Sequence, residues 1–157
     1  MPTARELGYE KLSAEEASAF LARQHTGRVA FSLHDRVDIE PISYSFDQGW
    51  IMGRTSVGTK LSVLAHNPWC AFEVDEVWSP FEWTSVVVKG MFYLLDPETS
   101  SPNVYKRALA SVRALVPDAF SPSDPLARRS ILFGIHANSM TGRRQHRLHA
   151  DGHVIGE

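Results

Sequence analysis

The segment of this sequence best suited to chemistry is Trp50–Lys60, WIMGRTSVGTK. A short apolar run leads to Arg54, two hydroxyls and a glycine, and Lys60 follows where a helical pattern begins. The start of a helix presents unpaired backbone N–H groups and the positive end of the helix dipole. Two cations beside such a helix start predict an anion site, and a phosphate group is the anion that we expect.

The glycine spacing of this segment invites comparison with a Walker A loop. Gly53 and Gly58 have the required separation, but that motif then needs Lys followed directly by Ser or Thr. Here the order is Thr59, Lys60 and Leu61, so the hydroxyl that would bind magnesium is missing. This order argues against a nucleoside triphosphatase. A surface turn with two solvated cations remains the alternative interpretation of the segment.

Length and composition are those of an ordinary globular protein. The 157 residues suit one core, and we predict a single domain over residues 1–157. A net charge of −2 argues against a nucleic-acid partner bound by bulk electrostatics. Cys70 is the only cysteine, and no signal-like or membrane-spanning apolar run occurs, so we predict a cytoplasmic protein without a membrane partner.

The residues before the segment predict a helix and a hairpin. Residues 1–12 are polar and are predicted to be a flexible arm. Ser13 and Glu16 have the spacing of a capping box, which starts a helix. Alternating apolar residues then predict a strand from Arg28, a tight turn and a second strand, Val37–Phe46.

Pro41 constrains the surroundings of the second strand. Proline cannot donate to a strand ladder, so either the strand is at a sheet edge there, or something other than a strand faces its backbone. A flat ligand would suit that position.

The residues after the segment predict further strands and two helices. The predicted elements are a helix at Thr59–His66, a strand at Trp69–Val77, a loop at Trp78–Glu82, a strand at Trp83–Leu95, a helix at Val104–Leu115 and a strand at Ile131–Ile135. Gly90 predicts a bulge or a bend in the longest strand, and residues 145–157 are predicted to be flexible. Six or so strands with helical additions predict a mainly β fold, an antiparallel barrel.

In four segments between Gly27 and Gly90, the chain resembles the pyridoxamine-phosphate-oxidase-like flavin-binding split-barrel proteins. The segments are GRVAFSL, PISYSF, RTSVGTKLSVLAHNP and SVVVKG, with a weaker match at Thr141-Gly142-Arg143. Within those proteins it is most similar to the group related to nitroimidazole-resistance proteins. The resemblance implies a homodimer of six-stranded antiparallel split barrels that binds FMN in a groove between the subunits.

The resemblance also implies a place for each part of the cofactor. The backbone of Glu40–Ser43 would lie along the isoalloxazine, and Arg54, Thr55 and Lys60 would take the phosphate. Ser85 matches a polar position on the flavin. The predicted cofactor-binding residues are Glu40, Pro41, Ile42, Ser43, Arg54, Thr55, Ser56, Lys60, Trp83 and Ser85.

The predicted function is reduction of a small organic acceptor, such as a nitroaromatic, by an FMN-dependent oxidoreductase. Because the basic residues that bind the substrate phosphate in vitamin B6 oxidases are missing, we do not expect pyridoxamine phosphate to be the substrate. Two alternatives stay open: a flavin- or haem-binding protein without turnover, and a reductase that uses the deazaflavin F420. The flavin would carry the redox chemistry, so no catalytic side chain is predicted.

Several side chains have a structural interpretation beside the functional one. Trp83 either stacks on the flavin or packs in the core or an interface. Arg143 and Arg144 either reach a phosphate or an anionic substrate, or are solvated. His66 is interpreted as bonding a helix-end carbonyl, and Cys70 as packed rather than reactive.

The histidines near the end of the chain raise the question of a metal site. His146, His149 and His153 would align on a continuous helix. Gly152 and the polar surroundings argue against such a helix, so we predict no metal site.

Overall fold

A computed structural model describes residues 7–147, which form eight strands and three helices. The strands are β1 (Leu7–Lys11), β2 (Thr26–Leu33), β3 (Arg36–Ser43), β4 (Ser45–Asp47), β5 (Trp50–Thr55), β6 (Trp69–Ser79), β7 (Glu82–Leu94) and β8 (Ile131–Arg147). The helices are α1 (Ala14–Arg23), α2 (Thr59–His66) and α3 (Pro102–Leu115). Within these residues, no helix has the length and hydrophobicity needed to cross a membrane.

The strands form one antiparallel sheet with the order β3-β2-β6-β7-β8-β5-β4, and β1 pairs with β8. The end strands β3 and β4 are not hydrogen-bonded to each other, but only Tyr44 separates them in the chain. The sheet therefore curls into a barrel that is open at this seam. This confirms the predicted mainly β split barrel, with eight strands rather than six. The predicted strand Val37–Phe46 is divided at Tyr44 into β3 and β4, and β1 was not predicted because it is short and polar.

The main core lies inside the curled sheet. Alternate residues of the long strands point inward, as Phe72 and Val86 do, and neither is exposed. Helix α1 packs Phe20 and Leu21 against this core. Its predicted capping box is confirmed, since the Ser13 side chain accepts a hydrogen bond from the backbone N–H of Glu16.

A second, smaller core covers part of the outer face of the sheet. Ala108 and Val112 of α3 pack with Met52 of β5 and Leu132 of β8. This contact holds α3 and the segment after it, residues 116–130, over one half of the outer face. The other half, on β2, β3 and β6, is left without a covering helix in the described part of the chain.

Of two local predictions about the strands, one is confirmed and the other is confirmed in part. Strand β3 is an edge strand, and Pro41 lies opposite Arg28 on its single hydrogen-bonded side. The ladder between β7 and β8 shifts register at Gly90, where an irregularity was predicted, but the extra residue is Asn138, so the bulged strand is β8. A side chain at Gly90 would collide with the carbonyl of His136, so the close approach of the two strands requires glycine.

The structure differs from four predictions about loops and ends within the residues that it describes. The predicted arm at residues 1–12 contains β1, and β8 continues to Arg147 into the region predicted to be flexible. Strand β8 runs far beyond the predicted Ile131–Ile135, because its backbone pairs with both β7 and β1. Where a loop was predicted at Trp78–Glu82, the structure has only a short turn between β6 and β7.

Candidate functional site

A cavity of about 280 Å³ opens where β5 ends, beside the edge strand β3 and the start of α2. We call it the β3–β5 cavity. The predicted site residues that line it are Pro41, Ile42, Ser43, Arg54, Thr55, Ser56 and Lys60. Glu40 joins this group through its ion pair with Lys60. The fold thus brings together the two sequence segments that were predicted to bind one cofactor.

The start of α2 is suited to an anion. Gly58 is the N-cap, so no side chain caps the first backbone N–H groups, and the first turn contains no acidic residue. The uncapped N–H groups and the helix dipole both favour negative charge here. The predicted bounds of this helix, Thr59–His66, are confirmed.

Lys60 is the cation of the cavity that can most easily change partner. Its Nζ lies 3.2 Å from Oε2 of Glu40, and the Glu40 side chain is 45% exposed. Ion pairs with such an exposed partner contribute only about 0–1 kcal/mol. Because Glu40 is exposed and regains water when it is displaced, an anion with two charges can replace it at low cost.

Arg54 already has partners within the protein, and its role as a phosphate ligand stays a prediction. Its Nη2 lies 2.6 Å from Oδ2 of Asp124 and donates to the carbonyl of Leu126 at 2.5 Å. Its Nε donates to the carbonyl of Arg129 at 2.9 Å, and the guanidinium packs over the Phe120 ring. Arg54 thus fastens segment 116–130 to β5, and its charge is balanced by a carboxylate.

One hydrogen-bond donor of the Arg54 guanidinium has no partner in the described part of the chain. The side chain is 6% exposed, and its Nη1 is buried without a hydrogen-bond partner among residues 7–147. A buried donor without a partner costs about 1–3 kcal/mol. An oxygen acceptor bound beside Arg54 would remove that cost, so the residues present fit an anionic ligand.

Sequence reasoning missed Arg129 at this site. Its side chain is exposed, lines the β3–β5 cavity and forms no ion pair within residues 7–147. It follows Arg54 by 75 residues in the chain. No local pattern marks it, because its position depends on the bond between Arg54 and its own carbonyl. Arg129 supplies the charge that Arg54 has lost to Asp124.

Trp83 and Ser85 lie outside this cavity. Their neighbours Thr84 and Val86 point into the core, so Trp83 and Ser85 lie on the outer face of β7. The ring of Trp83 meets Tyr9 edge-on, with 6.2 Å between the centroids. Within one chain these two residues do not join the other predicted ligands, and their cofactor role stays a prediction.

The uncovered half of the outer face carries an apolar groove of about 310 Å³. Val37, Trp69, Ala30 and Ala71 line it, and Ile39 lies next to Ala30 on the edge strand. Val37 is 74% exposed, Ile39 65% and Trp69 51%. We call this surface the β2–β6 groove. Neighbouring exposed apolar residues of this size are typical of a surface that binds another protein.

A charged cluster lies next to this groove. Arg28 pairs with both Glu73, at 3.1 Å, and Asp75, at 3.3 Å. Burial, together with the neighbouring Asp75, raises the pKa of Glu73 to about 7. Because Arg28 lies opposite Pro41, the cluster is one strand away from the edge that faces the β3–β5 cavity.

Two structural interpretations are confirmed. Nδ1 of His66 lies 2.8 Å from the carbonyl of Ser62, four residues earlier in α2. Cys70 is buried, and burial raises the pKa of its thiol to about 12, so the thiol is packed and inert. Neither residue contributes chemistry to the site.

The residues near the end of β8 are also held by the protein. Arg144 pairs with Glu10 at 2.9 Å rather than reaching the cavity. His146 lies on strand β8, not on a helix, while His149 and His153 lie outside the described residues. Within residues 7–147, no group of three or more His, Cys, Asp or Glu side chains is placed to hold a metal ion.

Comparison with known proteins identifies the family. The sequence model of the pyridoxamine 5'-phosphate oxidase family matches residues 13–144. The chain belongs to this family. A search of the curated proteins found no match.

Solved structures share this family's fold. An FAD-binding protein from Mesorhizobium loti is 24% identical, with a TM-score of 0.70, over 87% of this chain and 97% of that one. A candidate pyridoxamine 5'-phosphate oxidase from Corynebacterium glutamicum is 26% identical (TM-score 0.64; 90% and 100% covered). A candidate 5-nitroimidazole antibiotic resistance protein from Bacteroides thetaiotaomicron is 16% identical (TM-score 0.64; 88% and 93% covered). These matches confirm the resemblance predicted from the sequence.

The Arg54–Asp124 contact predicts a pH dependence of stability. The hydrogen bond from Arg54, with help from backbone N–H groups, lowers the pKa of Asp124 to about 2. Because the unfolded pKa is about 3.9, the ionised carboxylate stabilises the folded chain above that pH, and this contribution is lost as the pH falls toward the folded value. At pH 7, Asp124→Asn should therefore have its unfolding midpoint at a lower urea concentration than the parent. The difference between the two midpoints should decrease between about pH 4 and about pH 2.

Asp118→Asn is the matched control for this experiment, because Asp118 lies in the same segment and its side chain is exposed. It should unfold like the parent at every pH. A difference between Asp124→Asn and the parent that stays constant on acidification would show that the Arg54 contact is not what holds the segment.

Proposed function

We propose that this chain is an FMN-dependent oxidoreductase that binds the flavin phosphate in the β3–β5 cavity and reduces a small organic acceptor, such as a nitroaromatic. The observation that carries the proposal is that Lys60, Arg129 and the uncapped start of α2 border one cavity beside an edge strand. The family and the FAD-binding protein of similar fold support a flavin as the cofactor.

The phosphate would be held by charge and by backbone donors. An FMN phosphate carries about two negative charges at pH 7, and each hydrogen bond from a charged donor contributes about 1.5–3 kcal/mol. Lys60 exchanges Glu40 for the phosphate, and Arg129 supplies the second cation. The remaining Nη1 of Arg54, the Thr55 and Ser56 hydroxyls, and the first N–H groups of α2 complete the set of donors.

The flavin ring would lie along β3. This strand pairs with β2 on one side only, so the residues from Glu40 to Ser43 present an edge to a planar ligand. Pro41 has no N–H to leave unpaired there, which reduces the cost of an edge that is not paired with a strand. When bound, the flavin supplies the redox chemistry, while these residues orient its ring and exclude water.

A homodimer would complete the site. The β3–β5 cavity, at about 280 Å³, is smaller than the roughly 300–1,000 Å³ of a pocket that encloses a drug-sized ligand. The ring of the cofactor therefore needs a second surface. The β2–β6 groove next to β3 is apolar and exposed, and a second copy bound there would bring Trp83 and Ser85 of one subunit close to the flavin of the other.

Turnover distinguishes an oxidoreductase from a protein that only binds its cofactor. The flavin-loaded protein should oxidise NADPH faster when a nitroaromatic acceptor is added, because the acceptor regenerates the oxidised flavin. The measurement is NADPH absorbance with and without the acceptor, with free FMN as the control. An unchanged rate would favour a binding role over reductive turnover of that acceptor.

Lys60→Gln tests the phosphate site. We expect its affinity for FMN to fall about 10–100-fold, because one charge-assisted hydrogen bond is lost and each 1.4 kcal/mol is a factor of ten. Fluorescence titration of the flavin-free protein measures this. Affinity for riboflavin, which has no phosphate, should not change.

Lys106→Gln is the matched control, since Lys106 is an exposed lysine on α3 that does not line the cavity. It should bind FMN like the parent. If Lys60→Gln also binds FMN like the parent, or if it lowers the affinities for riboflavin and FMN by the same factor, the phosphate is not bound at the start of α2.

Ile39→Glu tests the proposed dimer. A charge on the exposed apolar edge of the β2–β6 groove should convert the dimer into a monomer, as measured by analytical ultracentrifugation. Leu94→Glu serves as the control, because Leu94 is also exposed but does not line the groove. A parent protein that is monomeric at all concentrations, or an Ile39→Glu variant that stays dimeric, contradicts the proposed interface.

A further inference from the structure

A second cavity, of about 200 Å³, lies under the end of α3. We call it the α3 cavity. Its walls are mainly apolar and come from Met52 of β5, from Val112 and Leu115 of α3, and from Val116 and Leu126 of the segment that follows. Nothing in the family resemblance assigns a ligand to this space.

We propose that the α3 cavity binds a small carboxylate with a single apolar ring, of the size of benzoate. The volume is below the roughly 300–1,000 Å³ that encloses a drug-sized ligand, so one ring is the largest group that suits it. Apolar walls with a small number of polar groups are the usual composition of a small-molecule site. Besides hydroxyls and the His25 imidazole, the polar side chains here are two guanidinium groups, and these indicate the charge of the ligand.

Two guanidinium groups, Arg54 and Arg129, line the α3 cavity as well as the β3–β5 cavity. Arg54 is buried, with Nη1 left without a partner among the described residues. A carboxylate oxygen would satisfy this donor, whereas an ammonium ligand would place a second donor beside it. The ligand must therefore be an acceptor.

The charges around the α3 cavity predict a monoanion. Asp124 balances the charge of Arg54 at 2.6 Å, and Arg129 has no ion pair within residues 7–147. The pair and the free guanidinium together leave one net positive charge. One carboxylate balances it, while a second would be repelled by Asp124. Benzoate should therefore bind more tightly than its neutral analogue, benzyl alcohol.

This site can be tested without flavin, because its walls are residues of this chain alone, but it shares Arg54 and Arg129 with the proposed phosphate site. Thr26 and Ser43 also line both cavities. Benzoate and the flavin phosphate would use the same guanidinium groups, so FMN should compete with benzoate. The binding of benzoate is therefore measured first without flavin and then with it.

Isothermal titration of the full, flavin-free chain with benzoate tests the proposal. We expect saturable binding with one site per chain, and binding of benzyl alcohol at least about tenfold weaker. Leu115→Trp should fill the cavity and lower the affinity for benzoate at least about tenfold. Leu115 is 44% exposed at the end of α3, so the larger ring is tolerated by the fold. Ala110→Trp, at an exposed position of the same helix, should bind benzoate like the parent.

A second pair of variants tests the charge. Arg129→Gln should lower the affinity for benzoate about tenfold without changing the affinity for benzyl alcohol. Arg128 is an exposed neighbour that does not line the cavity, so Arg128→Gln should change neither affinity. The proposal is overturned if benzoate does not saturate, if Leu115→Trp binds it like the parent, or if benzyl alcohol binds equally well. Loss of FMN binding with benzoate binding retained would reject the flavin proposal and leave this one standing.

Discussion

The contact between Arg54 and Asp124 is the interaction on which the candidate site depends. It joins β5 of the barrel to segment 116–130, which has no strand or helix of its own within it. The pair is almost completely buried, so breaking one partner would leave an uncompensated charge in the interior. The same guanidinium bonds the carbonyl of Arg129, so the contact determines where that second cation lies. Both cavities would lose a wall without it.

Apart from the Lys60 and Arg129 cations and the Thr55 and Ser56 hydroxyls, the candidate site is built mainly from backbone. The edge of β3, the uncapped N–H groups of α2 and the seam at Tyr44 all follow from the topology of the sheet rather than from reactive side chains. Such a site suits a cofactor that carries its own chemistry, because the protein needs only to orient it and to balance its charge.

Local signals predicted much of the fold because their causes are local. A capping box, a proline in an edge strand and a glycine at a strand bulge each depend on a few neighbouring atoms, and Ser13, Pro41 and Gly90 were interpreted correctly. The charge balance of the site was not predictable in this way. Asp124 and Arg129 lie 70 and 75 residues after Arg54, and no spacing pattern connects them. The roles of Trp83 and Ser85 require a second subunit and remain predictions.

The visible absorption spectrum of the protein as purified tests directly whether a phosphorylated flavin binds to this chain. We predict the two absorption bands of an oxidised flavin, and release of FMN on denaturation. A Soret band would instead indicate haem, and a colourless protein that binds F420 but not FMN would indicate a deazaflavin. Either result would contradict the account.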